Sequence, residues 1–172
     1  KVISRCGTGM DSIDLVCAKE LGIKVFNTPD APTEAVAELT VGLMLNLLRK
    51  ISEMDHELKN RRWKKIMGNL LASQKVGIIG YGRIGRRVAK LLRPFGVTLA
   101  YTDPFVAVRT KHIKKLPLTK LLSWADIICI HASSKTTILS PELLRKMKKG
   151  AWLINVSRGK SVDENALYDL LQ

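Results

Sequence analysis

The run Val76-Gly77-Ile78-Ile79-Gly80-Tyr81-Gly82-Arg83-Ile84-Gly85-Arg86-Arg87-Val88-Ala89 constrains the whole chain. An apolar stretch breaks into three glycines at G-x-G-x-x-G spacing and then resumes with helical periodicity. Ile84, Val88, Leu91, Leu92 and Phe95 recur at i, i+4, i+7, i+8 and i+11, which places one apolar stripe on a helix lying against the preceding strand. The pattern reads as strand, tight turn, helix. Gly80 permits the turn, Gly82 lets a pyrophosphate approach the backbone without meeting a Cβ, and Gly85 allows close contact between helix and strand. Arg83 and Ile84 open the helix, where unpaired amides and the helix dipole favour an anion.

Such glycines often serve only as turns, so context decides. A second strand, Val97-Thr98-Leu99-Ala100-Tyr101, leads to Asp103, 18 residues past Gly85 and near where an acid that bonds the ribose hydroxyls of NAD is expected. The expectation is a dinucleotide-binding unit with NAD as cofactor.

The chain has 172 residues, 46% of them hydrophobic, enough for one compact domain with a small appendage. No apolar run approaches the ~18 residues of a membrane span and no secretory signal opens the sequence, so the expectation is a cytoplasmic protein without membrane contact. Cys6, Cys17 and Cys129 are odd in number and lack C-x-x-C spacing; they read as reduced, buried thiols, with no metal site. A net charge of +14 would suit an anionic partner. It gathers in Lys59 to Lys65, Arg109 to Lys120 and Arg145 to Lys149, but no nucleic-acid motif accompanies it, and solvated lysine-rich faces are the simpler reading.

In order, residues 1 to 26 read as strand, helix, strand: Val2-Ile3-Ser4, a helix capped by Asp11 and ending at Gly22, then Ile23 to Phe26. The unit is too short for a core of its own and reads as the remnant of a substrate domain. Residues 27 to 74 form hinge and interface. Asn27 to Pro32 is the proline-punctuated hinge, and Thr33 caps a helix to Lys50 that is apolar almost all round. Such a helix must be buried on more than one side, which points to a homodimer through residues 33 to 50. Ser52 and Asp55 have capping-box spacing for a polar helix towards Arg62.

Residues 75 to 172 form the dinucleotide-binding domain. A short strand at Lys114-Lys115-Leu116 and a helix near Leu118 to Trp124 follow Asp103. Asp126 to Ile130 and Trp152 to Val156 read as buried strands, Ser140-Pro141-Glu142 starts a helix through Met147, and Ser161 with Glu164 boxes the last helix. Strands alternating with helices make an α/β fold, a doubly wound parallel sheet of Rossmann type in the order 3-2-1-4-5.

Separated motifs then line up with one family. Through Gly7-Thr8-Gly9-Met10-Asp11-Ser12-Ile13-Asp14, Asn27-Thr28-Pro29 with Ala37-Glu38, Gly80 to Gly85 with Asp103, and Asn155-Val156-Ser157-Arg158-Gly159 with Val162-Asp163-Glu164, the chain resembles the NAD-dependent D-2-hydroxyacid dehydrogenases. Arg5 to Gly9 and Arg62 to Gly68 look most like phosphoglycerate dehydrogenases. The resemblance implies that Thr8 and Gly9 present backbone amides to a substrate carboxylate, that Arg158 is the substrate-orienting catalytic arginine, and that His131 lies near the cofactor. A strand-end histidine bonded only to its neighbours is the other reading of His131. The family's acid/base glutamate and histidine would lie further along than residue 172, so the chain alone is expected to be inactive. The implied reaction moves a hydride between NAD and a small 2-hydroxy or 2-oxo acid; the alternative is a non-catalytic NAD-binding scaffold or corepressor-like module of the same fold.

Overall fold

The computed structural model describes residues 1–107, 111–134 and 136–172. Arg109 and Lys135 lie outside them.

Strands β1 (Val2–Arg5) and β2 (Lys24–Asn27) pair in parallel around helix α1 (Leu15–Glu20). Within this first unit only Ala18 is buried; Val2 and Phe26 are exposed. Asp14, not Asp11, caps α1 and accepts from the amides of Val16 and Cys17 at 3.0 and 2.9 Å. Asp11 has a different partner, described below. Cys6 and Cys17 are exposed, contrary to expectation, because this small unit encloses almost nothing; Cys129 alone is buried, and burial pushes its thiol up to about 12.

Helix α2 (Thr33–Arg49) starts from Pro32 without a side-chain cap, so Thr33 is its first residue and not its cap. It buries Ala37, Thr40, Met44 and Leu48, one stripe at helical spacing, chiefly against α4. Thr40 is tolerated there because its hydroxyl donates to the Val36 carbonyl at 2.7 Å. The all-round burial expected of α2 is not met within the chain, since Leu39 stays 54% exposed. Lys50, in the left-handed region at φ 58°, separates α2 from α3 (Ile51–Lys59). The Ser52–Asp55 box does not form: Ser52 turns back to Asn46 and Asp55 pairs with Lys59.

The main sheet comprises β3 (Lys75–Ile79), β4 (Thr98–Thr102), β5 (Lys114–Lys115), β6 (Ile127–Ile130) and β7 (Trp152–Asn155), all parallel, in the order β5-β4-β3-β6-β7. Counted within the domain this is the expected 3-2-1-4-5. Side chains alternate across the sheet. Val76, Ile78, Ile127 and Cys129 face α2 and α4 (Arg83–Leu92), while Ile79, Ile128 and Ile130 pack with Leu121 and Leu122 of α5 (Leu118–Trp124) and Leu144 of α6 (Pro141–Leu144). Helix α6 stops before Met147, with Pro141 at its first position as expected. The last helix, α7 (Glu164–Leu171), is capped by Asp163, which accepts from the Ala166 amide at 2.9 Å; Ser161 lies in the preceding turn and forms no box.

At the amino ends of the interior strands, Asp126 accepts from the Lys75 amide at 2.9 Å and from Lys148 Nζ at 2.7 Å. This ties the start of β3 to β6 and to the segment after α6. The C-terminal ends of β3, β4 and β6 are thereby left to build the groove.

Candidate cofactor and substrate site

The groove begins at the turn after β3. Gly80 sits at φ +91°, and a Cβ there would lie 2.6 Å from the Ala132 amide nitrogen. A Cβ at Gly85 would overlap the Gly80 carbonyl, so the turn and the helix close on each other only because both positions are glycine. Beside Gly82 the space is open. Gly82 caps α4 without any side-chain acceptor, leaving the first-turn amides at Arg83 and Ile84 facing the groove.

From this turn a cavity of about 850 Å³ runs past Asp103, Pro104 and Phe105 to Leu116, Pro117 and Ile138. A second, of about 530 Å³, runs past Arg83 and Ile84 to Thr8, Gly9 and Arg158. Both are lined by Gly82, His131, Ala132 and Ser133, so they form one groove along the carboxyl ends of the strands.

Asp103 is more fully engaged than the sequence implied. Its Oδ1 accepts from the amides of Phe105 (2.8 Å) and Val106 (3.0 Å), and its Oδ2 from the amide of Tyr81 (2.8 Å). A carboxylate offers about four acceptor sites, and the described residues fill three of them, two on Oδ1 and one on Oδ2. The acid is therefore held at the cavity wall by three amides. Tyr81 is itself fixed by stacking on Tyr101 at 4.2 Å between centroids, and burial raises its phenol above the ordinary value.

His131 follows β6, and both of its ring nitrogens are buried without a hydrogen-bond partner among the described residues. The local-bond reading of this histidine therefore finds no bond. Burial lowers its pKa to about 4, so the ring is neutral near pH 7. An orphaned polar pair, open space above Gly82 and uncapped amides together fit a dinucleotide.

At the other end Arg158, following β7, meets the loop after β1. Its Nε donates to Asp11 Oδ2 at 2.7 Å and its Nη1 to the Ser157 carbonyl at 3.0 Å, while the rest of the guanidinium lies against Gly9. The amides of Thr8 and Gly9 have no acceptor among the described residues. Thr8 is fixed instead by its side chain, which donates to the Pro29 carbonyl (3.0 Å), and by its carbonyl, which accepts from Asn27 Nδ2 (3.0 Å). Thus Thr8 and Gly9, far in sequence from Arg158, are its neighbours and share their half of the groove with Arg83 and Ile84, while Gly80 and Asp103 line the other half, Gly82 and His131 line both, and Gly85 packs behind the turn against Gly80.

Two contacts were missed from sequence, that of Arg158 with Asp11 and that of Arg83 with the hinge. Asp11 read as a helix cap, although its place two residues after Gly9 was a signal of its own. Arg83 spans from α4 to the hinge, donating from Nη2 to the Pro29 carbonyl at 3.1 Å and pairing with Asp30 at 3.0 Å.

Known proteins resemble this chain in sequence and in fold. The family model described as D-isomer specific 2-hydroxyacid dehydrogenase, NAD binding domain, matches residues 41–172. A hydroxypyruvate reductase of Thermotoga maritima is 39% identical over 174 residues, covering 98% of this chain and 57% of the relative. A D-3-phosphoglycerate dehydrogenase of Homo sapiens is 37% identical over 180 residues, covering 100% of this chain and 34% of that protein. Among solved structures, the apo D-lactate dehydrogenase of Escherichia coli superposes with a TM-score of 0.91 at 30% identity, over 99% of this chain and 56% of that one. A D-lactate dehydrogenase of Aquifex aeolicus complexed with NAD and lactic acid gives 0.86 at 32%, over 100% and 54%. The chain belongs to the D-2-hydroxyacid dehydrogenase family, as its NAD-binding domain. It spans between about a third and somewhat over half of the length of these relatives, 34% to 57%.

Proposed function

We propose that the chain is the cofactor-binding portion of an oxidoreductase that transfers a hydride between NAD and a small D-2-hydroxy acid, 3-phosphoglycerate being one candidate. The observation that carries this reading is the single groove with a glycine turn and Asp103 at one end and Arg158 against the Thr8–Gly9 loop at the other. Gly80, Gly82 and Gly85 shape the pyrophosphate turn, the amides of Arg83 and Ile84 receive the phosphates, and Asp103 faces the adenosine ribose. His131 lies beside the cofactor. The nicotinamide ring supplies or takes the hydride when bound. Arg158 is the catalytic arginine: its remaining N–H groups bind the acid and polarise the neighbouring carbonyl. Thr8 and Gly9 hold the carboxylate through their free amides.

Homodimerisation through α2 belongs to the same proposal. Leu39 is exposed, and Gly42, in mid-helix at a cost of ~1 kcal/mol in helix propensity, has open space beside it where a partner backbone could approach. Sedimentation at tens of micromolar should show a dimer that Leu39→Glu dissociates.

The central test is NADH oxidation by the full-length gene product with hydroxypyruvate, glyoxylate, pyruvate and phosphohydroxypyruvate. Turnover lost in Arg158→Ala supports the enzyme. Tight NAD binding without turnover on any of these acids supports the scaffold reading.

A further inference from the structure

Phe105 is the most exposed large apolar side chain among the described residues, at 94%. It lines the 850 Å³ cavity two residues after Asp103, together with Pro104, Leu116, Pro117 and Ile138. Burying a phenylalanine shifts an equilibrium by roughly 10- to 100-fold, so a ring left in water at the mouth of an apolar cavity has a large gain available if something flat enters.

The backbone beneath this ring is held in place. The Phe105 and Val106 amides both donate to Asp103 Oδ1, and the Val106 carbonyl accepts from Lys115 Nζ at 2.7 Å. Val106 packs on the core below. Only the side chain is free, and rotation about its χ angles suffices to move it on a picosecond-to-nanosecond timescale.

We propose that Phe105 is an aromatic flap that turns onto the adenine ring of the bound dinucleotide and closes that end of the groove. The proposal rests on the reading of the glycine turn and Asp103 given above, because these direct the adenosine half into the larger cavity and leave the nicotinamide half beside Arg158. The same carboxylate that faces the ribose fixes the Phe105 amide, so base and sugar are gripped from one three-residue segment. Adenine offers a π-face and little else that the apolar lining could recognise, which suits stacking better than edge hydrogen bonding.

The test needs only this chain. Its three phenylalanines, Phe26, Phe95 and Phe105, give three resonances after 4-fluorophenylalanine labelling, and Phe105→Leu assigns the third. Addition of ADP-ribose should move the Phe105 resonance and leave those of Phe26 and Phe95 in place. By calorimetry, Phe105→Ala should weaken ADP-ribose binding about 5- to 100-fold at an unchanged Tm, while Phe105→Trp should retain it. Binding of ADP-ribose with equal affinity in Phe105→Ala, or with an unmoved Phe105 resonance, overturns the flap while leaving the cofactor reading intact. No binding of ADP-ribose at millimolar concentration overturns both.

Discussion

Arg158 Nε and Asp11 Oδ2 lie 2.7 Å apart across 147 residues of sequence, and the Cα of Gly9 fits between them and the groove with no room for a methyl group. A Cβ at Gly9 would overlap the guanidinium and sit 3.0 Å from Asp11 Oδ2. Gly9→Ala must therefore push Arg158 out of its place. Displacing a positioned group by about 1 Å costs on the order of 100-fold in rate. The exposed ion pair itself contributes only about 0–1 kcal/mol, so folding should hardly notice. We expect kcat/KM of the full-length gene product to fall about 100-fold while Tm moves by less than about 4 °C. Unchanged kinetics would remove Arg158 from the reaction.

The glycines of the turn separate binding from folding. At Gly82 a methyl meets open space, so Gly82→Ala should fold with an ordinary Tm and lose NAD affinity by about tenfold or more, because the methyl occupies the phosphate's approach. At Gly85 the methyl meets the Gly80 carbonyl, so Gly85→Ala should lower stability by about 1–3 kcal/mol and binding with it. Calorimetry and thermal melts on the two variants check this. A destabilised Gly82→Ala with intact affinity would reverse the assignment.

Cofactor choice follows from Asp103. Three amides fix its carboxylate at the cavity wall, so it cannot swing away from a 2'-phosphate. Like charges about 4 Å apart at a partly shielded site repel by about 4 kcal/mol. NAD should bind at least about tenfold more tightly than NADP in a calorimetric titration, and Asp103→Asn should narrow the difference. Equal affinities for the two dinucleotides in the unmodified chain would contradict this account.

His131 gives the fold a pH dependence of defined sign. Burial lowers its pKa from 6.5 to about 4, so between those values the unfolded chain binds a proton that the folded chain refuses. Stability from this group is complete above about pH 6.5 and is lost as the pH falls. From pH 6.5 to about pH 5 the loss is about 1.5 kcal/mol, above the range in which carboxylates begin to titrate. Urea denaturation across that window should show the slope, and His131→Gln should flatten it.

The parts legible in sequence were those set by local rules. The strand order, the tight turn at Gly80, the close packing at Gly85 and the position of Pro141 follow from periodicity and from what a turn permits. Helix starts fared worse. Asp11, Thr33, Ser52 and Ser161 are all good cap residues, yet the caps that form are Asp14 and Asp163, and α2 starts from Pro32 with no side-chain cap at all. Three of the four meet a competing demand: Asp11 is drawn to Arg158, Ser52 to Asn46, and Ser161 is buried beneath its turn, whereas the Thr33 hydroxyl is buried without a partner among the described residues. Long-range pairs such as Arg158 with Asp11, or Arg83 with Asp30, depend on how two units meet, and no window of sequence contains both partners.

Among the described residues, no group placed to donate the proton of 2-oxo acid reduction lines the groove beside Arg158. The ionisable groups lining that half of the groove are Arg83, Arg158 and His131. An arginine keeps its proton at working pH, and His131, with a pKa near 4, is neutral at pH 7 and has almost no proton to give. General acid catalysis typically supplies ~100- to 10,000-fold, and an open groove also leaves water in contact with the reacting carbons. We therefore expect this 172-residue chain to bind NAD and to oxidise no NADH above the no-protein control with hydroxypyruvate, glyoxylate, pyruvate or phosphohydroxypyruvate. Turnover that vanishes in Arg158→Ala and survives His131→Ala would show that another group in the chain supplies the proton. Turnover that vanishes in His131→Ala as well would make the buried histidine the donor, against the pKa its surroundings impose.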